Sequence, residues 1–258
     1  MPNVISKDGT SIVFDRVGEG PPLILVLGAF NDRSAGVGLA ECLASHFTVI
    51  NYDRRGRGAS GDTLPYAVDR EIEDLAALIA DAGGAAAVFG YSSGAGLSLR
   101  AAAAGLPITK LTLYDAPYIV GDSQAGQRVD HAAHLSKLIA SGRRGDAVEY
   151  FQTKVVAIPE DIVIQMRRAP FRPALEAMAH TLVYEMTILG DGSLPIELAQ
   201  RAALPTLAVA GGTNPFMRQA AEALAEALPN GEARILEGQT HDIVPSVLGP
   251  VLDAFLAQ

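Results

Sequence analysis

The chain has 258 residues, with 20 Lys and Arg against 29 Asp and Glu and a formal net charge of −9. At 49% hydrophobic and 19% charged residues it is too apolar and too weakly charged for a disordered chain. The acidity and the lack of a basic face argue against nucleic acid or an anionic membrane as partner. The single cysteine, Cys42, excludes an internal disulfide framework and a cysteine-based zinc site.

No apolar run approaches the ~20 residues that span a bilayer. The N-terminus has no basic segment leading into a long apolar stretch, so the expectation is a soluble, cytoplasmic protein without a secretory signal.

The first elements read as a hairpin: Asn3–Ser6, the turn signal Asp8-Gly9, then Ser11–Val17. After the breaker Gly18–Pro22, Leu23–Leu27 is a continuous apolar strand, as expected where both sheet faces are covered. Strand and helix signals then alternate. Val37–Ala44 reads as helix, Thr48–Tyr52 as strand, Asp69–Ala82 as amphipathic helix, Ala86–Phe89 as buried strand, Ala95–Ala104 as small-residue helix and Leu111–Tyr114 as strand. This rhythm predicts an α/β fold with a doubly wound, mostly parallel sheet.

Between Pro117 and Ala202 the rhythm stops. Helical patterns cover Asp130–Ala140, Asp146–Thr153, Glu160–Arg168 and Ala174–Leu189, with no convincing buried strand. It resumes with strand Thr206–Ala210, helix Met217–Leu228, strand Ala233–Leu236 and helix Pro245–Leu256. The economical division is a core of residues 1–116 and 202–258 interrupted by a helical cap, residues 117–201. Such insertions often act as lids over the strand carboxyl ends, where open α/β sheets bind ligands.

The most informative segment is Gly90-Tyr91-Ser92-Ser93-Gly94, placed after an apolar strand and before a helical pattern. A sharp strand-to-helix turn of this kind holds a serine in a strained conformation with its Oγ exposed. The glycines allow close backbone approach, and the helix N-terminus favours negative charge beside the serine. A plain Gly/Ser turn is the alternative; the flanking strand and helix favour Ser92 as nucleophile, with Ser93 one residue off the motif's centre.

A serine nucleophile needs a base. Of the five histidines, His241 follows the last predicted strand, in a loop that returns to the same sheet edge as the elbow. His46 precedes a strand and reads as structural. His131 and His134 share a helix face without a third ligand, and His180 falls near Tyr184 in the insertion.

Four segments together resemble the α/β-hydrolase fold superfamily over nearly the whole chain: Leu25–Phe30, Asn51–Ser60, the elbow, and Gln239-Thr240-His241. The order nucleophile, acid, histidine is that of the superfamily. The resemblance implies that one oxyanion N–H comes from Ala29 and the other from Ser93, a removed donor costing ~3 kcal/mol of transition-state stabilisation. Leu27 replaces a histidine that usually braces the first of these loops. The Asp53–Ser60 segment resembles the superfamily's Asp-x-Arg-Gly-x-Gly-x-Ser loop and reads as architectural, with Asp53 anchoring loops and a catalytic role for it the less favoured reading.

The acid departs from the pattern. Where the superfamily usually carries an aspartate after the next-to-last strand, this chain has Gly211-Gly212-Thr213-Asn214-Pro215. An asparagine in place of a triad aspartate costs about 10⁴ in kcat. Asp115, just after strand Leu111–Tyr114, is the preferred acid; Asn214 as an orienting amide and Asp242 are the alternatives.

A serine at the elbow argues against dehalogenase or epoxide hydrolase chemistry, which uses aspartate there, and supports acyl transfer. The expectation is a serine hydrolase with no cofactor and no metal, acting on a small or medium acyl substrate, most simply a carboxylic ester. Phe30, Tyr91, Tyr118 and Tyr184 are candidate pocket residues, with Phe151, Met166, Phe171 and Met178 as further apolar side chains of the cap. Its partner is a small molecule, with a homo-oligomer left open. Two rivals remain: an enzyme for C–C, lactone or thioester cleavage in a specialised pathway, and a non-hydrolytic binding protein of the same fold.

Overall fold

The structure, a computed structural model, describes residues 1–121 and 129–257. Part of the stretch expected as cap, residues 122–128, therefore lies outside the described residues.

Among the described residues, eight strands form one sheet in the order β1-β2-β4-β3-β5-β6-β7-β8. They are β1 (Asn3–Ile5), β2 (Ser11–Val17), β3 (Pro22–Val26), β4 (Thr48–Tyr52), β5 (Ala86–Tyr91), β6 (Ile108–Tyr114), β7 (Thr206–Gly211) and β8 (Gly231–Leu236). β1 pairs antiparallel with β2, and β2 antiparallel with β4; every later pairing is parallel. The parallel strands are apolar on both faces because helices cover both. On one face, Ile24 and Val26 of β3 belong to the apolar cluster that also holds Leu75 and Leu78 of α2 (Val68–Asp81), Leu97 of α3 (Ser93–Ala103) and Leu224 of α10 (Pro215–Ala227). Leu23 and Leu25, one residue out of phase, belong to a second cluster with Leu39 and Leu43 of α1 (Val37–Leu43) and Leu248 and Leu252 of α11 (Pro245–Leu256). This is the period-two alternation of a strand buried on both sides.

Between β6 and β7 lie α4 (His131–Ala140), α5 (Arg144–Tyr150), α6 (Glu160–Met166), α7 (Arg172–Ala177), α8 (Thr181–Leu189) and α9 (Ile196–Arg201). Their own apolar cluster includes Leu135, Val148, Phe151, Leu182 and Met186. The expected single helix 174–189 is two: the chain turns at Met178–His180, with Thr181 N–H donating to Met178 O at 2.9 Å. The break lets α7 pack on α5 while α8 packs on α3. The segment is also less separate than a cap boundary at 201 implies, since Ile188 of α8 and Ala199 of α9 belong to the sheet's own core.

No helix among the described residues is long and apolar enough to cross a membrane.

Candidate active site

The sheet order decides what can meet. β5 sits between β3 and β6, so the carboxyl ends of β3, β5 and β6 lie side by side, with β7 and β8 following at the same edge. The loops leaving those ends carry Gly28 and Ala29, Ser92 and Ser93, Asp115, Asn214 and His241, respectively. This is the edge at which parallel sheets bind ligands.

Ser92 stands between β5 and α3 with φ 56° and ψ −125°, a conformation costly for any residue with a Cβ. Its N–H donates to Tyr114 O at 2.9 Å, and its carbonyl accepts from Ala95 N at 2.9 Å. The flanking glycines are steric requirements. A Cβ on Gly94 would sit 2.2 Å from Val26 O, and one on Gly90 2.7 Å from Ala95 Cα. Ser92 is half-buried, and among the described residues none hydrogen-bonds its hydroxyl. In substrate-free sites the nucleophile–base contact is commonly long.

Asp115 is buried, at 1% exposure, and takes φ 48° at the end of β6. Its Oδ1 accepts from Gly211 N at 2.9 Å, and its Oδ2 lies 2.8 Å from His241 Nδ1. With Nδ1–H donated to the carboxylate, His241 Nε2 is left as the basic nitrogen. The His241 side chain is 40% exposed. Its ring packs against Tyr91 with centroids 5.0 Å apart, and Tyr91 in turn stacks on Tyr114. The Tyr114 hydroxyl donates to Thr240 O at 2.9 Å, holding the loop that carries His241.

The two alternatives for the acid are engaged elsewhere. Asn214 caps α10, its Oδ1 accepting from Phe216 N at 3.0 Å, and it is exposed. Asp242 faces Thr240 Oγ1 at 3.1 Å. Asp53 is fully buried and accepts from Arg33 N and Ala59 N, both at 2.8 Å, which is a loop anchor.

The two residues expected to supply oxyanion N–H groups adjoin each other across the elbow, but one N–H is occupied. Ala29 N–H donates to Ser93 Oγ at 3.0 Å. Close packing of this loop on the elbow shows at Gly28, where a Cβ would come 2.8 Å from Ser92 Cβ.

The expected pocket residues separate. Tyr91 packs against His241, and Phe30, with φ 61°, meets Phe151 edge-on at 5.4 Å beneath the inserted helices. Tyr118 is 2% exposed in the sheet core, its hydroxyl 3.2 Å from where a Cβ on Gly96 would stand, and burial pushes its hydroxyl pKa up. Tyr184 is also committed elsewhere. It stacks on Tyr66 with centroids 3.7 Å apart and donates to Asp62 Oδ2 at 2.8 Å. Phe171 is exposed, and Phe151 is buried in the inserted helices' own cluster.

The remaining histidines are structural or peripheral. His46 Nδ1 lies 2.8 Å from Asp253 Oδ1, in a surface hollow of about 530 Å³ that holds neither Ser92 nor His241. His131 is bonded to the Tyr150 hydroxyl, and His134 stacks on the same ring. His180 Nε2 lies 3.3 Å from Asp62 Oδ2.

Sequence reasoning missed a buried ionic cluster beneath the β3 loop. Arg54, Arg55 and Arg57 are each no more than 2% exposed. Arg54 forks onto Glu71 with two contacts of 2.8 Å, and Arg55 pairs with Asp74 at 2.7 Å. Arg54 and Arg57 both pair with Glu185 of α8. Three arginines within four residues, directly after an apolar strand, are the signal that marks such a cluster: they cannot all reach water from there, so carboxylates must be buried with them.

The alpha/beta hydrolase family model matches residues 23–249. A solved structure of an alpha/beta hydrolase from Sphaerobacter thermophilus DSM 20745 is 54% identical, covering 99% of this chain and 100% of that one, with a TM-score of 0.92. A hydrolase from Pseudomonas aeruginosa PA01 is 22% identical with a TM-score of 0.75, covering 100% of this chain and 98% of that one, and shares the fold. N-formylmaleamate deformylase of Pseudomonas putida is 38% identical over 104 residues, a match spanning only 39% of each chain. With a family model covering most of its length and a full-length relative of the same description, the chain belongs to the alpha/beta hydrolase family.

Proposed function

We propose that the protein is a serine hydrolase that cleaves a small or medium acyl substrate, most simply a carboxylic ester, through an acyl-enzyme on Ser92. The observation that carries this reading is the 2.8 Å contact between His241 Nδ1 and the buried Asp115 carboxylate, at the sheet edge where Ser92 occupies its strained turn.

In the reaction, Ser92 Oγ attacks the acyl carbon and His241 Nε2 takes the serine proton. Asp115 fixes the imidazole and stabilises the imidazolium. The tetrahedral oxyanion is held by N–H groups of Ala29 and Ser93, the substrate oxygen displacing the Ser93 hydroxyl from the first of them. Collapse expels the alcohol, which leaves with the proton from His241. Water then attacks the acyl-enzyme, gives its proton to His241, and the acid departs as Ser92 recovers that proton.

Phe30, Phe151 and their neighbours favour an apolar acyl group, because the loop after β3 packs beneath the inserted helices' apolar cluster. In this reading the inserted helices act as the cap. The test is hydrolysis of a series of p-nitrophenyl esters from acetate to octanoate. Turnover by the wild type that is lost in Ser92→Ala supports the reading, and turnover retained by Ser92→Ala contradicts it. The partial match to a deformylase favours one second reading, hydrolysis of an N-formyl amide by the same residues, which formate release from N-formyl amides would distinguish.

A further inference from the structure

The peptide unit joining Gly28 to Ala29 is gripped from both ends. Its N–H, on Ala29, donates to Ser93 Oγ at 3.0 Å and so points at the elbow. Its carbonyl, on Gly28, accepts from Arg57 Nη1 at 2.7 Å. A peptide unit is planar and trans, so its C=O and N–H point in opposite directions, and whatever fixes the oxygen fixes the direction of the N–H. The guanidinium is itself fixed. Its Nη2 pairs with Glu185 Oε1 of α8, and Glu185 is fully buried. The preceding carbonyl, Leu27 O, accepts from Arg54 Nη1 at 3.1 Å, and the same nitrogen lies 3.1 Å from Glu185 Oε2. Two successive carbonyls of one loop are thus held by two guanidinium groups that share one carboxylate. Leu27 itself offers no polar side chain to do this work.

We propose that Arg57, seated by Glu185, is the positioning residue that aims the Ala29 N–H at the elbow and makes it an effective oxyanion donor, an inference that rests on the serine hydrolase reading above. Arg57 touches no reacting atom; it acts through one peptide. A charge-assisted hydrogen bond to the Gly28 carbonyl also polarises that peptide, which strengthens the N–H as a donor. Burial and the neighbouring Arg54 charge pull the Arg57 pKa down to about 9, so the group still carries its proton at neutral pH. Since Glu185 belongs to the inserted helices, the same contact ties the oxyanion loop to the segment above it.

The competing explanation is that these residues only neutralise one another in the core. Kinetics of inactivation by a fluorophosphonate separate the two. Ser92 Oγ attacks phosphorus, fluoride leaves, and the phosphoryl oxygen occupies the oxyanion position. The end-point of labelling counts the folded, competent sites, and the rate at saturating probe, kinact, reports stabilisation of the developing oxyanion. Arg57→Met and Glu185→Gln are expected to label with kinact about tenfold or more below the wild type and with little change in the half-saturating probe concentration, a loss smaller than that of deleting a donor outright. Arg57→Lys, which keeps the charge without the fork, is expected between them and the wild type, and it carries the comparison if Arg57→Met does not fold. Variants that label fewer sites at the wild-type rate per site overturn the proposal in favour of a purely structural cluster, as does full labelling at the wild-type rate. A wild type that never labels at Ser92 overturns the hydrolase reading, and the proposal falls with it.

Discussion

Asp115 and His241 are 126 residues apart in the chain, and their side chains meet at 2.8 Å. The contact exists because β6 and β8 flank β7 in one parallel sheet, which brings the loops after β6 and β8 to the same edge. Asp115 cannot serve a solvent-exposed role: it is buried, and its second oxygen is taken by Gly211 N.

Asp115→Asn is expected to lower kcat for ester hydrolysis by about 10⁴, because an amide favours the wrong histidine tautomer, with KM changing far less. Asn214→Ala is expected to leave kcat within about twofold and to cost about 1 kcal/mol of stability through loss of a helix cap. Steady-state kinetics and urea unfolding of both variants check this. The reverse pattern, with Asn214→Ala inactive, would place the orienting group after β7.

Ser93→Ala removes the hydroxyl that now accepts the Ala29 N–H and keeps both backbone donors. The expected kcat is within about fivefold of the wild type, since the substrate oxygen displaces that hydroxyl during the reaction. A loss of about 100-fold, the size of a deleted oxyanion donor, would show that the hydroxyl itself holds the oxyanion.

Tyr114→Phe deletes the donor to the Thr240 carbonyl and leaves the ring in place. Loss of that hydrogen bond should cost about 1 kcal/mol of stability. Because the Thr240 loop carries His241, kcat should also fall, while a Tyr118→Phe control, whose ring lies in a different apolar cluster from Tyr114, should leave kcat unchanged. Equal kcat values for the two variants would contradict a role for Tyr114 in holding the base.

Asp62 links the core loop to the inserted helices through His180 and Tyr184. Burial alone would raise its pKa, but the hydrogen bonds from His180 and Tyr184 outweigh it and hold the carboxyl below its ordinary value. A carboxylate depressed in the folded state stabilises above its unfolded pKa of about 3.9, and that stability is lost as the pH falls through the folded value. The urea midpoint of Asp62→Asn should therefore lie below that of the wild type at pH 7, with the gap narrowing as the pH falls below about 4. A gap independent of pH would contradict the assignment.

The parts of the site legible in the sequence are those set by local geometry. Gly90 and Gly94 are forced by contacts a Cβ could not make, so the elbow shows within five residues. Asp115 shows as a carboxylate ending an apolar strand. The sequence favours Asp115 over Asn214 and Asp242 but leaves the other two open, because the contact with His241 depends on which loop reaches it across the sheet. The Arg57–Glu185 pair spans 128 residues, and no local pattern links them. Tyr118 and Tyr184 read alike as aromatics of the inserted segment, yet one fills the core beside Gly96 and the other bonds Asp62. The turn between α7 and α8 has neither Gly nor Pro at Met178-Ala179-His180; packing on two different helices, α5 and α3, imposes it.

The central claim, that Ser92 is an activated nucleophile, is tested most directly by intact-mass measurement after exposure to a fluorophosphonate, wild type beside Ser92→Ala. The account predicts one adduct per chain on the wild type and none on folded Ser92→Ala. A wild type that stays unlabelled by both the fluorophosphonate and a small sulfonyl fluoride, or an adduct that persists in Ser92→Ala, would contradict it.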